Sequence, residues 1–572
     1  MSFFNKFFLI ISNFKLKTLN FIFLSLITIL LEIFSVGMIF PAISILSGNE
    51  IIFFDFNLGI YLSEISSSYN TNVEFIILFV LLTFFFIKFS FMVFFIVYQA
   101  RFTALMATSI SQNLFTKYIY SDYSLYFKKT SSELIRNVLG EANNFIKKVF
   151  IPCLQISMDI LILSGILLLI FLVDYKSSSI LVLIYSSFGV IYFLLVKKKL
   201  YSIGKQQLQF DQIRIKNSQE AFLGIKTIKI FLKEKNFIDK YVYFYKKVAN
   251  LSKSQSIIQQ IPKHIIELLT IISFVTICIL LMKNSINFNE IIPTLTLFVT
   301  AAFRIIPATN RLMNNNQIIR SGLSTLNNLA KEISDLKVNF NQNLNTKEIK
   351  NFNVIKIKNL SFGYNNKKNI FENINLKIKK GDRIGIIGKT GCGKTTFIDL
   401  LLGLIKPIEG LIILDDDNIN EIDSSWKNIL GYVPQEVFLL DDTIKNNIIF
   451  DDKVDVDEES LNYALQNSEI NEFLENNNEL NTKIGERGIA LSGGQKQRIG
   501  IARALYKKPK IIIFDESTNS LDMETEKKIM DSIYSLDENI TLIIISHRKS
   551  ILSRCSKIFE IKDKKITLVE ND

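Results

Sequence analysis

Six apolar stretches, near residues 18–46, 73–99, 149–173, 178–196, 265–282 and 291–306, dominate the first part of this chain. About 17–25 apolar residues cross a bilayer as a helix, because hydrocarbon offers no water to pair with a bare backbone N–H or C=O. With 49% hydrophobic residues over 572 positions, the chain is too long and too apolar for one soluble domain. Two longer segments, 102–148 and 197–263, alternate with the short connections and are rich in Lys and Arg, whereas 48–72 contains neither. Basic residues stay on the cytoplasmic side, so the N-terminus and both long segments belong there. Six spans are an even number, which returns everything after residue 306 to the same side.

That C-terminal part is of a different material. Arg383 to Ile387 reads as a short buried strand, and Gly388-Lys-Thr-Gly-Cys-Gly-Lys394-Thr395 follows it. Gly388, Gly391 and Gly393 let the backbone bend until its N–H groups, with those of Lys389, Thr390 and Cys392, converge on phosphate oxygens. The helix opening at Lys394 and continuing through Thr396 points its positive end at the same anion. Lys394 then neutralises β- and γ-phosphates, and the Thr395 hydroxyl ligates Mg²⁺. Farther on, Leu491-Ser-Gly-Gly-Gln495 offers a second anion-binding helix start, formed by Ser492, Gly493, Gly494 and Gln495. Ile511 to Phe514 is an apolar run of the kind found in central parallel strands, and it ends in two carboxylates. Asp515 suits Mg²⁺, and Glu516 stands where a general base polarises water.

Taken in this order, the motifs resemble the nucleotide-binding domain of an ATP-binding-cassette (ABC) protein, over roughly 351–572. The resemblance implies further roles. Tyr364 resembles the aromatic that stacks on adenine, and Gln435, in Val433-Pro-Gln, the glutamine that senses Mg²⁺. His547, one of two histidines in the chain, resembles the switch histidine that grips the γ-phosphate. Thr482 to Gly488 resembles an exporter-type loop that touches the partner domain. Asn519-Ser-Leu-Asp522 resembles the loop at the dimer interface, with Asn519 less usual there. In that family the 492–495 segment caps the nucleotide on the other subunit's P-loop. One intact copy of each motif per chain therefore implies a homodimer with two ATP molecules between the cassettes.

The fold expected is a six-span helical transmembrane domain of the type I ABC exporter kind (1–320), a linker (321–350) and an α/β P-loop ATPase domain (351–572). Two amphipathic stretches, Ser121 to Phe127 and Phe222 to Leu232, fall where six-helix exporters of this family carry coupling helices. Residues 1–17 contain no small-residue cleavage site and read as an amphipathic lead-in helix. The four cysteines are scattered and suggest neither a disulfide framework nor a zinc site. A net charge of +12 could suit nucleic acid, but the basic residues crowd the cytoplasmic membrane face, so no nucleic-acid partner is expected.

Cargo is read from charge inside the spans. Glu32, Lys88 and Arg304 lie roughly 13–15 residues into theirs, about 20 Å deep at ~1.5 Å per residue. Charge at that depth costs about 2.5–3.5 kcal/mol on insertion scales, so each must face a cavity or a partner. Either Glu32 pairs with Lys88 or Arg304 as structure, or Lys88 and Arg304, with Lys263 at the inner edge, grip an anionic headgroup. Asp159 and Glu267 read as groups that bond between helices. The stretches 31–41 and 303–311, and the 48–72 connection, resemble the corresponding parts of bacterial lipid-linked oligosaccharide flippases. The resemblance implies ATP-driven movement of a polyprenyl-pyrophosphate glycan outward across a bacterial cytoplasmic membrane. An exporter of lipid, lipopolysaccharide precursor or hydrophobic drugs is the alternative.

Overall fold

The computed structural model describes residues 2–46, 52–53, 56–57, 67, 72–173, 175–283, 288–336, 349–364, 369–451, 456–472, 474, 477–485, 488–489, 491–516 and 523–569. Most of the 48–72 connection, Glu486, Arg487 and the 519–522 loop lie outside them. The chain divides into two compact units, one made of Met1–Ser121 and Lys128–Val338, the other of Asp122–Phe127 and Asn339–Asp572.

The first unit is helical. Phe3–Ile11 forms the lead-in helix, capped by the Ser2 side chain, with Ile10 and Ile11 buried and Phe4 and Phe8 exposed. Lys15–Gly37, Val73–Ile119 and Ile151–Val173 follow, then three helices of 48 to 50 residues: Tyr175–Leu223, Glu234–Lys283 and Phe288–Asp335. Between Lys15–Gly37 and Val73–Ile119, β1 (Ile52–Phe53) and β2 (Phe56–Asn57) pair antiparallel. Among the described residues, three helical stretches are long and apolar enough to cross a membrane: Lys15–Leu46, Val73–Ile119 and Ser131–Leu172. The expected spans 178–196, 265–282 and 291–306 fall on the three long helices, where many side chains lie outside the described residues.

Side chains from distant parts of the sequence meet in this unit's core. Ile29 and Val36 pack with Ile162, Ile166 and Ile170, and with Leu297, Phe298, Ala301 and Ile305. Gly165 makes the approach possible: a Cβ there would lie 2.2 Å from the Ile33 side chain. Small residues at helix contacts are the usual device where no water drives association. Phe75, Phe79, Leu82, Phe86 and Phe89 of Val73–Ile119 stay exposed, as a lipid-facing surface requires.

The second unit is α/β. An antiparallel sheet joins β3 (Val354–Phe362), β4 (Phe371–Lys379), β6 (Glu409–Leu414) and β7 (Asp417–Asn418). Strands β5 (Arg383–Ile387), β8 (Leu430–Val433), β9 (Ile511–Asp515), β10 (Thr541–Ile545), β11 (Lys557–Lys562) and β12 (Lys565–Val569) form a separate six-stranded sheet in the order β12-β11-β5-β10-β9-β8. All neighbours in it are parallel except β11 and β12. Every residue of β9 and β10 is buried, which explains their unbroken apolar runs: parallel strands are covered on both faces. The helix Lys394–Leu401 packs into the core the two sheets share, with Phe397 and Ile398 fully buried. Trp426 closes that core and donates its indole N–H to the Leu401 carbonyl at 2.8 Å.

Candidate functional site

β5 ends at Ile387, and the chain turns through 388–393 into the helix Lys394–Leu401. Gly391 and Gly393 have φ of +81° and +108°, a region that costs an L side chain. A Cβ on Gly388 would lie 2.6 Å from the Cys392 sulfur, and one on Gly393 2.7 Å from Ile370. No side chain caps this helix. Its first N–H groups are therefore left for an anion. Lys389, Thr390 and Thr395 are exposed around the loop, whereas Lys394 and Thr396 are buried.

Lys394 gathers the neighbouring motifs. Its ammonium donates to the Gly388 carbonyl at 2.8 Å, lies 3.2 Å from Glu516 Oε1 and 2.7 Å from His547 Nε2. His547 Nε2 is 3.3 Å from the same Glu516 oxygen, and the Gln435 amide donates to Glu516 Oε2 at 3.4 Å. Parallel pairing causes this convergence, because β5 and β9 both flank β10 and end on the same edge. Glu516 itself has φ of +47°. A non-glycine residue held there is strained, which its neighbours must offset.

Asp515 is almost fully buried. Burial, then the charges of Glu516 and Asp399, push its carboxyl up to about 6, and Lys394 only partly opposes them. A carboxyl at about 6 is still mostly ionised at neutral pH, so it can meet a cation as a carboxylate. The Thr395 hydroxyl, the Asp515 carboxylate and the Gln435 amide are hard oxygen donors of the type Mg²⁺ prefers. The residues present fit that ion.

The second glycine-rich element opens the helix Gly493–Tyr506 with a complete capping box. Ser492 Oγ accepts from Gln495 N at 3.2 Å, and Gln495 Oε1 accepts from Ser492 N at 2.8 Å. Gly493 and Gly494 start that helix, with Gly493 exposed. Tyr364 is half exposed; its ring meets Phe362 edge-on at 5.2 Å, and its hydroxyl is 3.2 Å from Thr396 Oγ1.

Sequence reasoning missed Tyr432 and Asp399, which both act on Asp515. Each had a signal, a polar group inside an otherwise apolar strand or helix. It also missed Arg548, which follows His547 and pairs with buried Glu526 at 2.6 Å.

In the helical unit, Glu32 takes both basic partners. Lys88 Nζ lies 2.9 Å from Glu32 Oε2 and donates to Ser35 Oγ at 2.8 Å. Arg304 Nη1 lies 3.1 Å from the same carboxylate oxygen. Lys88 is buried at 6% exposure, while the Arg304 side chain keeps 41% of its surface open. Lys263 is exposed and reaches Glu267 at 4.0 Å, and His264 reaches Glu267 at 3.2 Å. Among the described residues, Glu267 thus bonds along its own helix, since its side chain sits within reach of the preceding turn. Asp159 does bond across helices, to Arg311 at 2.7 Å, a partner the sequence had not suggested.

A parallel-sheet core with a glycine phosphate cradle, a buried lysine and two carboxylates at a strand end defines a P-loop nucleoside triphosphatase. Residues 371–519 match the family model described as ABC transporter. An ATP-dependent lipid A-core flippase of Wigglesworthia glossinidia brevipalpis is 29% identical over 80% of this chain and 79% of its own length. A putative export ATP-binding/permease protein of Rickettsia typhi is 40% identical over 37% of each chain. A solved structure, a bacterial Atm1-family ABC exporter with ATP bound, superposes with a TM-score of 0.76. It covers 97% of this chain and 94% of its own at 19% identity. Together these matches support an ABC exporter half-transporter that hydrolyses ATP.

Proposed function

We propose that this half-transporter pairs with a second copy of itself and flips an amphiphile with an anionic, lipid-linked glycan headgroup, of the lipid-linked oligosaccharide kind. Six spans in a bacterial cytoplasmic membrane, with the cassette on the cytoplasmic side, complete that reading, and 321–350 serves as the linker. The observation that carries it is the Glu32, Lys88 and Arg304 cluster. One carboxylate faces two cations, so a net positive charge remains, and the open face of Arg304 presents it. Lys88, locked between Glu32 and Ser35, holds the cluster together rather than gripping cargo directly. Lys263 contributes only at the inner edge. Relatives named lipid A-core flippases, 27–29% identical over most of the chain, favour a second reading in which the cargo is a glycolipid of that type.

In the cassette, Tyr364 would stack on adenine. The backbone of Gly388, Lys389, Thr390, Gly391, Cys392 and Gly393, with Thr396, would cradle the phosphates. Thr395, Asp515 and Gln435 would hold Mg²⁺, which would offset phosphate charge. Ser492, Gly493, Gly494 and Gln495 would close over the partner chain's nucleotide. Lys394 must exchange Glu516 and the Gly388 carbonyl for phosphate oxygens. That exchange releases Glu516 Oε1 to polarise water, while His547 turns to the γ-phosphate. Substrate thereby arms its own general base.

The test is ATPase in lipid nanodiscs, with and without added glycolipid. Arg304→Gln is expected to cut stimulation by polyprenyl-pyrophosphate glycan about 10-fold or more, the scale of a lost charge-assisted hydrogen bond, with basal turnover little changed. Equal loss of both rates would reduce the cluster to structure. Stimulation by lipid A-core glycolipid alone would select the second reading.

A further inference from the structure

The compact unit that contains the cassette also includes six residues from far upstream, Asp122–Phe127. Their place in it is aromatic. The Phe127 ring meets the Tyr364 ring at 5.2 Å and 67°, edge against face. On its other side Tyr364 meets Phe362 at 5.2 Å and 83°, and its hydroxyl reaches Thr396. Tyr123 backs Phe127 at 5.2 Å and 83°. Burial, with the nearby charge of Asp399, raises the Tyr123 phenol, so that ring lies close to the phosphate-loop helix as well. Tyr364 is thus held at three points, one of them supplied by a residue more than two hundred positions upstream of the P-loop.

Holding matters because a stacking ring must keep its orientation. A half-exposed tyrosine at the end of β3 otherwise has free χ1 and χ2 rotation, and fixing them at binding costs affinity. Edge-to-face neighbours fix them in advance. Phe127 is itself 52% exposed and Tyr364 47%, so the two rings leave an open aromatic corner, the shape that takes a planar heteroaromatic base.

We infer that Phe127 is a positioning residue for the nucleotide base: it acts by orienting the Tyr364 ring. The inference rests on the reading of Tyr364 as the base-stacking ring. It also gives the upstream segment a specific task. The segment continues directly from the helix Val73–Ile119 and is followed by Ser131–Leu172, both candidate spans. Occupancy of the base subsite then bears on a stretch of backbone covalently joined to two membrane helices.

The experiment uses the full-length protein in nanodiscs, carrying Glu516→Gln to prevent turnover. Equilibrium binding of ATP is compared with that of inorganic tripolyphosphate, which has the phosphates and no base. Tyr364→Ala should weaken ATP several-fold and leave tripolyphosphate unchanged. Phe127→Ala should weaken ATP about 2- to 10-fold, the range of an aromatic pair, again sparing tripolyphosphate. The double variant should be no weaker than Tyr364→Ala, because Phe127 acts through that ring, and Phe127→Tyr should restore binding. Equal loss of ATP and tripolyphosphate in Phe127→Ala would mean a merely structural residue and overturn the inference. So would unchanged ATP binding in Phe127→Ala alongside a weakened Tyr364→Ala. If Tyr364→Ala binds ATP normally, the base-stacking reading itself falls, whatever Phe127 does.

Discussion

Each unit holds a cluster of ions around a carboxylate, Glu516 in one and Glu32 in the other, and the two are built in opposite ways. In the cassette, Lys394, Glu516 and His547 stand at the ends of elements: a helix start and the ends of two neighbouring strands. Parallel pairing brings those ends together, so the spacing of motifs along the chain already implies their meeting. In the helical unit, Glu32, Lys88 and Arg304 stand in the middle of helices, 56 and 272 residues apart in sequence. Nothing in local spacing brings them together; only helix packing does. On the proposed function, the first cluster is a site whose internal contacts are exchanged when nucleotide binds. In the second, one contact is locked and the other is left open on one face.

The widest gap between the two should come from Glu516→Gln. Steady-state hydrolysis is expected to fall about 10²–10⁴-fold, the share of a general base, with ATP still bound, as phosphate release and equilibrium binding would show. Normal hydrolysis by that variant would break the comparison at its root, since the cassette cluster would then be structural too.

Next in size is Glu32→Ala, which strips Lys88 of its carboxylate while leaving it buried. Losing one partner of a buried pair costs about 3–5 kcal/mol, read as a large drop in thermal unfolding temperature in detergent. Glu32→Leu combined with Lys88→Met should recover much of it, because the sealed charge is removed with its partner and only the more open Arg304 loses a carboxylate. Failure of the double variant to recover would show that Arg304 depends on Glu32 more than Lys88 does.

Asp159→Asn should cost less, about 1.5–3 kcal/mol, as a hydrogen bond to a charged group is weakened rather than a charge isolated. Arg311, with half of its side chain exposed, can turn toward solvent. A loss as large as that of Glu32→Ala would mean that Arg311 is effectively buried in the bilayer. The smallest effect expected is Ser492→Ala. Loss of the capping box costs about 1 kcal/mol of stability, whereas ATPase in the assembled dimer should fall much further if Ser492 also meets the partner's nucleotide. Matching small losses in both would confine Ser492 to its own helix.

Particular residues show where reading along the chain succeeded and where it stopped. The strand ending in Asp515 and Glu516 was legible because a buried parallel strand must be apolar throughout, and a carboxylate pair at its end stands out. The P-loop was legible because only glycine tolerates its backbone angles and its close contacts. Tyr432 and Asp399 were not: each looks like a stray polar group until the sheet places it beside Asp515. Glu267 was assigned an interhelical bond, but an i−4 and an i−3 neighbour on its own helix were nearer. Asp159 was expected to bond across helices, yet Arg311 could not be named, because its approach depends on how Ile151–Val173 packs against Phe288–Asp335.

The sequence by itself determined that a membrane-spanning helical part precedes a P-loop ATPase. Both follow from short-range physics: backbone pairing in hydrocarbon and glycine geometry around phosphate. Only the tertiary structure decided which charges Glu32 meets, that Arg304 stays open while Lys88 is sealed, and that the Phe127 ring meets Tyr364. These depend on packing between residues far apart in the chain, where side-chain reach and burial, rather than spacing, select the partner.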